Sequence, residues 1–199
     1  MGKITFQVRT FLIILFLLGS SLTFLTATTK QLSEISISES VTNVSCHGKN
    51  DGAINTTITG GTGNYSISWN TGQTTKDISG LIATSYIITV TDENGTKTKT
   101  INVSQPDALS MATSTFQNVS CNGLSDGSIT VGTVTGGTSP YQYKLDNGTL
   151  GSSDTFQNLS AGTYSITARD ANGCEIQKSV TVSQPDALSM ATSTFQNVS

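Results

Sequence analysis

VSQPDALSMATSTFQNVS, residues Val103 to Ser120, recurs letter for letter from Val182 to Ser199. The spacing is 79 residues (182 − 103). That is the size of one small β-domain, and an identity of this length does not arise by chance, so the period governs the reading of the chain. Cys121-Asn122-Gly123 and a complete unit follow the first copy. The spacing divides the chain into repeat 1 over residues 29–105, repeat 2 over 106–184, and the first strand of a truncated third repeat over 185–199. On its own that last piece should dock only loosely.

The two repeats align through short motifs. Asn43-Val44-Ser45-Cys46 matches Asn118-Val119-Ser120-Cys121, and Gly60-Gly61-Thr62 with Tyr65 matches Gly136-Gly137-Thr138 with Tyr141. Asp92 through Asn94-Gly95 matches Asp170 through Asn172-Gly173. The offset grows from 75 (121 − 46) to 78 (172 − 94), so insertions fall between strands and spare the frame.

Between the turn signals lie runs with strand character. In repeat 1 they are 35–44, 53–59, 65–69, 74–78, 86–91 and 97–103. In repeat 2 they are 109–119, 128–135, 141–145, 155–159, 164–169 and 177–182. Both Asn-Gly pairs predict hairpins whose central residues have positive φ. Tyr65, Ile67 and Trp69 alternate with Ser66 and Ser68, which puts Trp69 in a core and not on a ligand-stacking face. Tyr86 and Tyr164 each open a strand, as a tyrosine corner does, its hydroxyl tied to backbone just upstream. Outside the leader nothing has a helical period. The fold class is therefore all-β: tandem antiparallel sandwiches behind an N-terminal signal segment.

Charged residues make up 12% of the chain and the net charge is −3. No basic patch offers itself to nucleic acid or to an anionic membrane. Lys3 and Arg9 precede the apolar run Phe11–Leu18 and small residues at Gly19-Ser20-Ser21, which makes residues 1–28 a signal peptide. An uncleaved anchor is the alternative, because apolar residues return at Leu22, Phe24 and Leu25. Either way the body leaves the cytoplasm for a compartment in which disulfides persist. Of the three cysteines, Cys121 and Cys174 share repeat 2 and are expected to pair. Repeat 1 has Thr96 where repeat 2 has Cys174, so Cys46 is expected to be a free thiol.

Catalysis has little to stand on. His47 is the single histidine, in a turn where repeat 2 has Asn122. No nucleophile or second ligand accompanies it, so no catalytic residue, cofactor or metal is expected. Asp51, Asp126, Asp92, Glu93 and Asp170 could hold calcium at one end of a sandwich. The plainer reading is that aspartates beside glycine cap turns.

Val-Ser-Cys-x-Gly-x-x-Asp-Gly, Gly-Gly-Thr-x-x-Tyr, Leu-x-Ala-Gly-Thr-Tyr, Asp-x-Asn-Gly-Cys and Val-x-Gln-Pro, in that order, resemble the SprB repeat. The resemblance covers Val119–Pro185 almost completely. Repeat 1 departs where Ile82-Ala83-Thr84-Ser85-Tyr86 lacks the glycine and where Thr96 replaces a cysteine. The resemblance implies an immunoglobulin-like repeat of a large surface adhesin of gliding bacteria, exported by the type IX route. The expected function is thus a secreted or cell-surface spacer and adhesin. Its partners would be a surface or environmental polymer such as a polysaccharide, and neighbouring repeats. The rival is an accessory or carbohydrate-binding array of a secreted polysaccharide-degrading enzyme. A receptor ectodomain would need a later spanning segment.

Overall fold

A computed structural model describes residues 33–192. The signal segment at 1–28 lies outside the described residues, as do 193–199. Among the described residues no helix is long and apolar enough to cross a membrane.

Repeat 1 contains β1 (Ser36–Thr42), β2 (Gly52–Thr59), β3 (Ser66–Trp69), β4 (Ile78–Leu81), β5 (Thr84–Asp92) and β6 (Gly95–Val103). They form two antiparallel sheets in the orders β1-β2-β4 and β3-β5-β6. This is the strand arrangement of an immunoglobulin constant domain without its fourth strand. Alternation drives the choice. In β5 Tyr86, Ile88 and Val90 point inward and are buried, while Ile87 between them faces out. Ile54 on β2 and Ile88 on β5, with no exposed surface, join Trp69 and Val103 in the core between the sheets. Antibody domains place their inter-sheet disulfide beside a buried tryptophan, with the corner tyrosine two residues before its second cysteine. Here Ile88 follows Tyr86 by that spacing, so a branched aliphatic packs where a bond would otherwise be.

Repeat 2 builds the same sandwich with a broken first sheet. Its strands are β7 (Ser110–Met111), β8 (Thr115–Gln117), β9 (Gly127–Thr130), β10 (Val134–Thr135), β11 (Gln142–Leu145), β12 (Thr155–Leu159), β13 (Gly162–Arg169) and β14 (Glu175–Val182). The sheets run β7-β10, β8-β9-β12 and β11-β13-β14. The predicted strands 109–119 and 128–135 are each split in two. Gly132 marks the split: its amide donates to Ser114 Oγ at 3.2 Å. A Cβ there would lie 2.5 Å from the Ala112 carbonyl oxygen, so only glycine lets the two chains close at the break. Ile129 and Ile166 repeat the buried pair of repeat 1, and Met111, Val119 and Val182 complete a second core.

Each repeat thus has its own core, although both belong to one compact unit, Leu32–Ser199. One strand of repeat 1 is misplaced by the sequence pattern. Residues 74–77 are not strand, and β4 begins at Ile78. Those polar residues wrap the indole and the inner threonine instead. Trp69 Nε1 donates to Thr75 O at 2.9 Å, and buried Thr56 donates its hydroxyl to Lys76 O at 2.7 Å. Residues 185–192 form no strand.

Candidate functional site

Each sandwich has a leading end, where the chain arrives, and a trailing end, where it leaves. At the trailing end of repeat 1, Asn43 Oδ1 accepts the Ser104 amide at 3.0 Å and the Val44 amide donates to Ser104 O at 2.9 Å. The Gly48 amide donates to Gln105 Oε1 at 2.8 Å, and His47 Nδ1 lies 3.4 Å from Pro106 O. Repeat 2 repeats the set: Ser183 amide to Asn118 Oδ1 at 2.9 Å, Gly123 amide to Gln184 Oε1 at 2.9 Å, and Asn122 Nδ2 to Pro185 O at 3.1 Å. The Gln-Pro joint is therefore not a loose linker. Its side chain and carbonyl are fastened to the Asn-Val-Ser-Cys turn of the repeat it leaves.

At the leading end the Gly-Gly-Thr turn meets the Asp-x-Asn-Gly hairpin. Asp92 Oδ2 accepts the Thr62 amide at 2.7 Å, and its Oδ1 accepts the Asn94 and Gly95 amides at 2.8 and 3.1 Å. Asp170 does the same for Thr138, Asn172 and Cys174. Tyr65 and Tyr141 close the loop by donating to Gly60 O and Gly136 O at 2.5 and 2.6 Å. Gly60 and Gly136 have φ of 79° and 76°, and a side chain on either would strike the backbone carbonyl of Glu34 or Ala108. The hairpins occur where the Asn-Gly pairs predict them. Neither Asn94 nor Asn172 takes positive φ, however, because the aspartate side chain caps the turn and removes the need for it.

The joint between repeats brings the trailing end of repeat 1 onto the leading end of repeat 2. Cys46 and Cys174 form a disulfide across it, with Cα atoms 5.8 Å apart at a sequence separation of 128. Asn172 Nδ2 donates to Ser45 O at 3.1 Å beside the bond. A groove of about 370 Å³, lined by His47, Lys49, Asp107, Glu175 and Ile176 among others, runs along the contact.

This overturns the expected Cys121–Cys174 pair and the expected free thiol at Cys46. Cys121 is the free, exposed cysteine, and Cys46 is buried under repeat 2. The reason is distance. Cys174 precedes β14 at the leading end, while Cys121 sits at the trailing end where the Val119 amide meets Ser183 O. An extended strand of eight residues separates the two ends. At about 3.3 Å per residue that is roughly 26 Å, far beyond the roughly 7 Å at which two Cα atoms can be bridged. In the sequence, Cys46 has no second cysteine within its own repeat, and nothing there names its partner.

Trp69 and Tyr86 are buried, and Tyr164 is half-buried against the second core. The Tyr86 hydroxyl donates to Ile82 O at 3.1 Å and that of Tyr164 to Ser160 O at 2.9 Å, the upstream tie of a tyrosine corner. The aspartates weighed as calcium ligands spend their oxygens on the protein's own amides. The Ser45 hydroxyl and then its amide hold the Asp51 carboxyl below its ordinary value, and Ser120 does so for Asp126. Asp92 is lowered chiefly by the Thr62 amide. Among the described residues no three His, Cys, Asp or Glu side chains cluster to hold a metal.

Strand order, the buried tryptophan and the paired tyrosine corners define the class: tandem immunoglobulin-like β-sandwiches. Within that class, the SprB repeat family model matches the chain at two places, residues 38–74 and 113–150. No curated protein matches the chain in sequence. Similar solved structures include the N-terminal eight Ig domains of Down Syndrome Cell Adhesion Molecule, at 12% identity and TM-score 0.40, over 78% of this chain and 25% of that one. Extracellular domains 3–5 of Drosophila OTK align at 11% identity and TM-score 0.34, over 76% of this chain and 62% of that one. Domains 1–6 of the surface layer protein SbsC align at 14% identity and TM-score 0.31, over 77% and 28%. The chain thus spans about a quarter of the DSCAM and SbsC chains.

Proposed function

We propose that this chain is an extracellular, cell-surface repeat protein that acts as a spacer and adhesive module of the gliding-adhesin type. The single observation that supports this best is the construction of the joint. Each repeat buries a core of its own, the Gln-Pro segment is bound down on the turn of the repeat it leaves, and a disulfide closes the contact between repeats. Such a joint holds two modules at a set distance and resists being pulled apart. A disulfide also suits the oxidising side of a membrane. The surface of hydroxyl and amide side chains suits hydrogen bonding to a hydrated polymer such as a polysaccharide, with no catalytic step and no cofactor.

Surface biotinylation of intact cells, followed by attachment assays with the chain coated on beads, tests the reading. The expected result is labelling from outside, together with bead retention on polysaccharide films under flow. Labelling only after lysis would defeat the surface role. Labelling without retention would leave these two repeats as spacers and move adhesion elsewhere. A polysaccharide-hydrolysing activity of the full protein would favour the accessory-array reading.

A further inference from the structure

We propose that Cys121 is a covalent docking site for the hairpin cysteine of a following repeat of this type. One disulfide, from the trailing turn of one repeat to the leading hairpin of the next, would then close every joint of an array. The first observation is the bond already present: Cys46, the counterpart of Cys121, is joined to the hairpin of the repeat that follows it. The second is that the two turns are built alike. Cys46 O accepts the Lys49 amide at 3.1 Å and Cys121 O accepts the Leu124 amide at 3.2 Å. Gly48 and Gly123 have φ of 76° and 82°, and each turn is held by its glutamine and its aspartate. The two cysteines therefore sit at the same place in the same hydrogen-bonded turn.

What differs is the cover. Cys46 lies under the second repeat, whereas Cys121 is exposed and Leu124 beside it is 48% exposed. The stretch that leads from the first turn into repeat 2 is repeated intact at 182–199, so the residues that would carry the next hairpin to Cys121 are already in place. Thr96 stands at the hairpin position of repeat 1 where repeat 2 has Cys174.

Bond formation removes two protons and two electrons from the two thiols. The electrons reduce an exchange-active disulfide to two thiols; oxidised glutathione, which yields two glutathione thiols, serves in the test. The inference rests on the exported reading only in that a disulfide needs an oxidising compartment. A map made in vitro is independent of where the chain resides.

The 199-residue chain, extended after Ser199 by a copy of its own residues 121–184, is folded in a glutathione redox buffer, alkylated with iodoacetamide and mapped as non-reduced peptides. The expected map contains Cys46–Cys174 and a second bond from Cys121 to the added hairpin cysteine. Alkylation at Cys121 should fall roughly tenfold against the unextended chain, because a disulfide sulfur is no longer a nucleophilic thiolate. A bond inside the added repeat, or undiminished alkylation of Cys121, would overturn the proposal. Thr96→Cys in the unextended chain gives a second test that does not depend on the added repeat folding. The Cys46–Cys174 bond should persist, with the introduced thiol and Cys121 both alkylated. Pairing of the introduced thiol with Cys46, and of Cys121 with Cys174, would overturn it as well.

Discussion

The two copies of VSQPDALSMATSTFQNVS are held alike at Val-Ser-Gln-Pro but part at Ala-Leu-Ser-Met, residues 108–111 and 187–190. In the first copy Leu109 packs on the second core and Met111 is 2% exposed, paired through β7 with β10. In the second copy Leu188 and Met190 stand in the same order and Met190 is 97% exposed, in a segment with no strand. Local propensity is identical, so it cannot be what makes β7. The difference is the neighbour: β10 and the face of the second sandwich receive the first copy, and nothing in the described structure receives the second. A short strand is marginal without a sheet and an apolar face to join, and Ser110-Met111 against Ser189-Met190 is an internal control for that rule.

The largest expected effect probes the covalent joint through which the first copy runs. Cys174→Ser should lower stability by about 2–5 kcal/mol in urea titrations, the range for loss of a native disulfide. It should also separate the unfolding of the two repeats, whereas Cys121→Ser should stay within about 0.5 kcal/mol. Iodoacetamide should label the native, unreduced chain once, at Cys121; labelling of all three cysteines would show the joint open.

Next comes the matched pair of methionines. Met111→Ala should cost about 2–5 kcal/mol, since a buried side chain leaves a cavity. Met190→Ala should cost less than about 0.5 kcal/mol. Equal effects in thermal melts would mean that the second copy finds a core of its own. A smaller change is expected at the fastening of the trailing end. Asn118→Ala removes the acceptor of the Ser183 amide and should cost about 1 kcal/mol, with faster amide exchange at Ser183 as its mark.

The weakest effect is acid dependence. Asp51, Asp92 and Asp126 are held below the ordinary 3.8 by donated hydrogen bonds. A carboxyl lowered on folding contributes stability that is fully present above its unfolded pKa and is lost as pH falls through the folded value. The unfolding midpoint should therefore be level down to about pH 4 and decline below it. Asp92→Asn should flatten part of that decline, and an unchanged slope would show that the hairpin cap carries none of it.

Much of the fold was legible along the chain. Alternation in Tyr65, Ile67 and Trp69 named the face turned to the core, and the Asn-Gly pairs marked both hairpins. The indole of Trp69 erased a strand at 74–77 by drawing those residues around itself, which no local pattern records. The break at Gly132 likewise follows from how closely two chains approach across the sheet.

Period, strand character, turn positions and the division into two cores follow from the order of residues alone, because side-chain alternation and turn chemistry act over a few positions. Which cysteine meets which was decided only in three dimensions. The two cysteine motifs of one repeat lie a strand's length apart, and the partner of Cys46 comes near only when the trailing turn of one sandwich is set against the leading hairpin of the next.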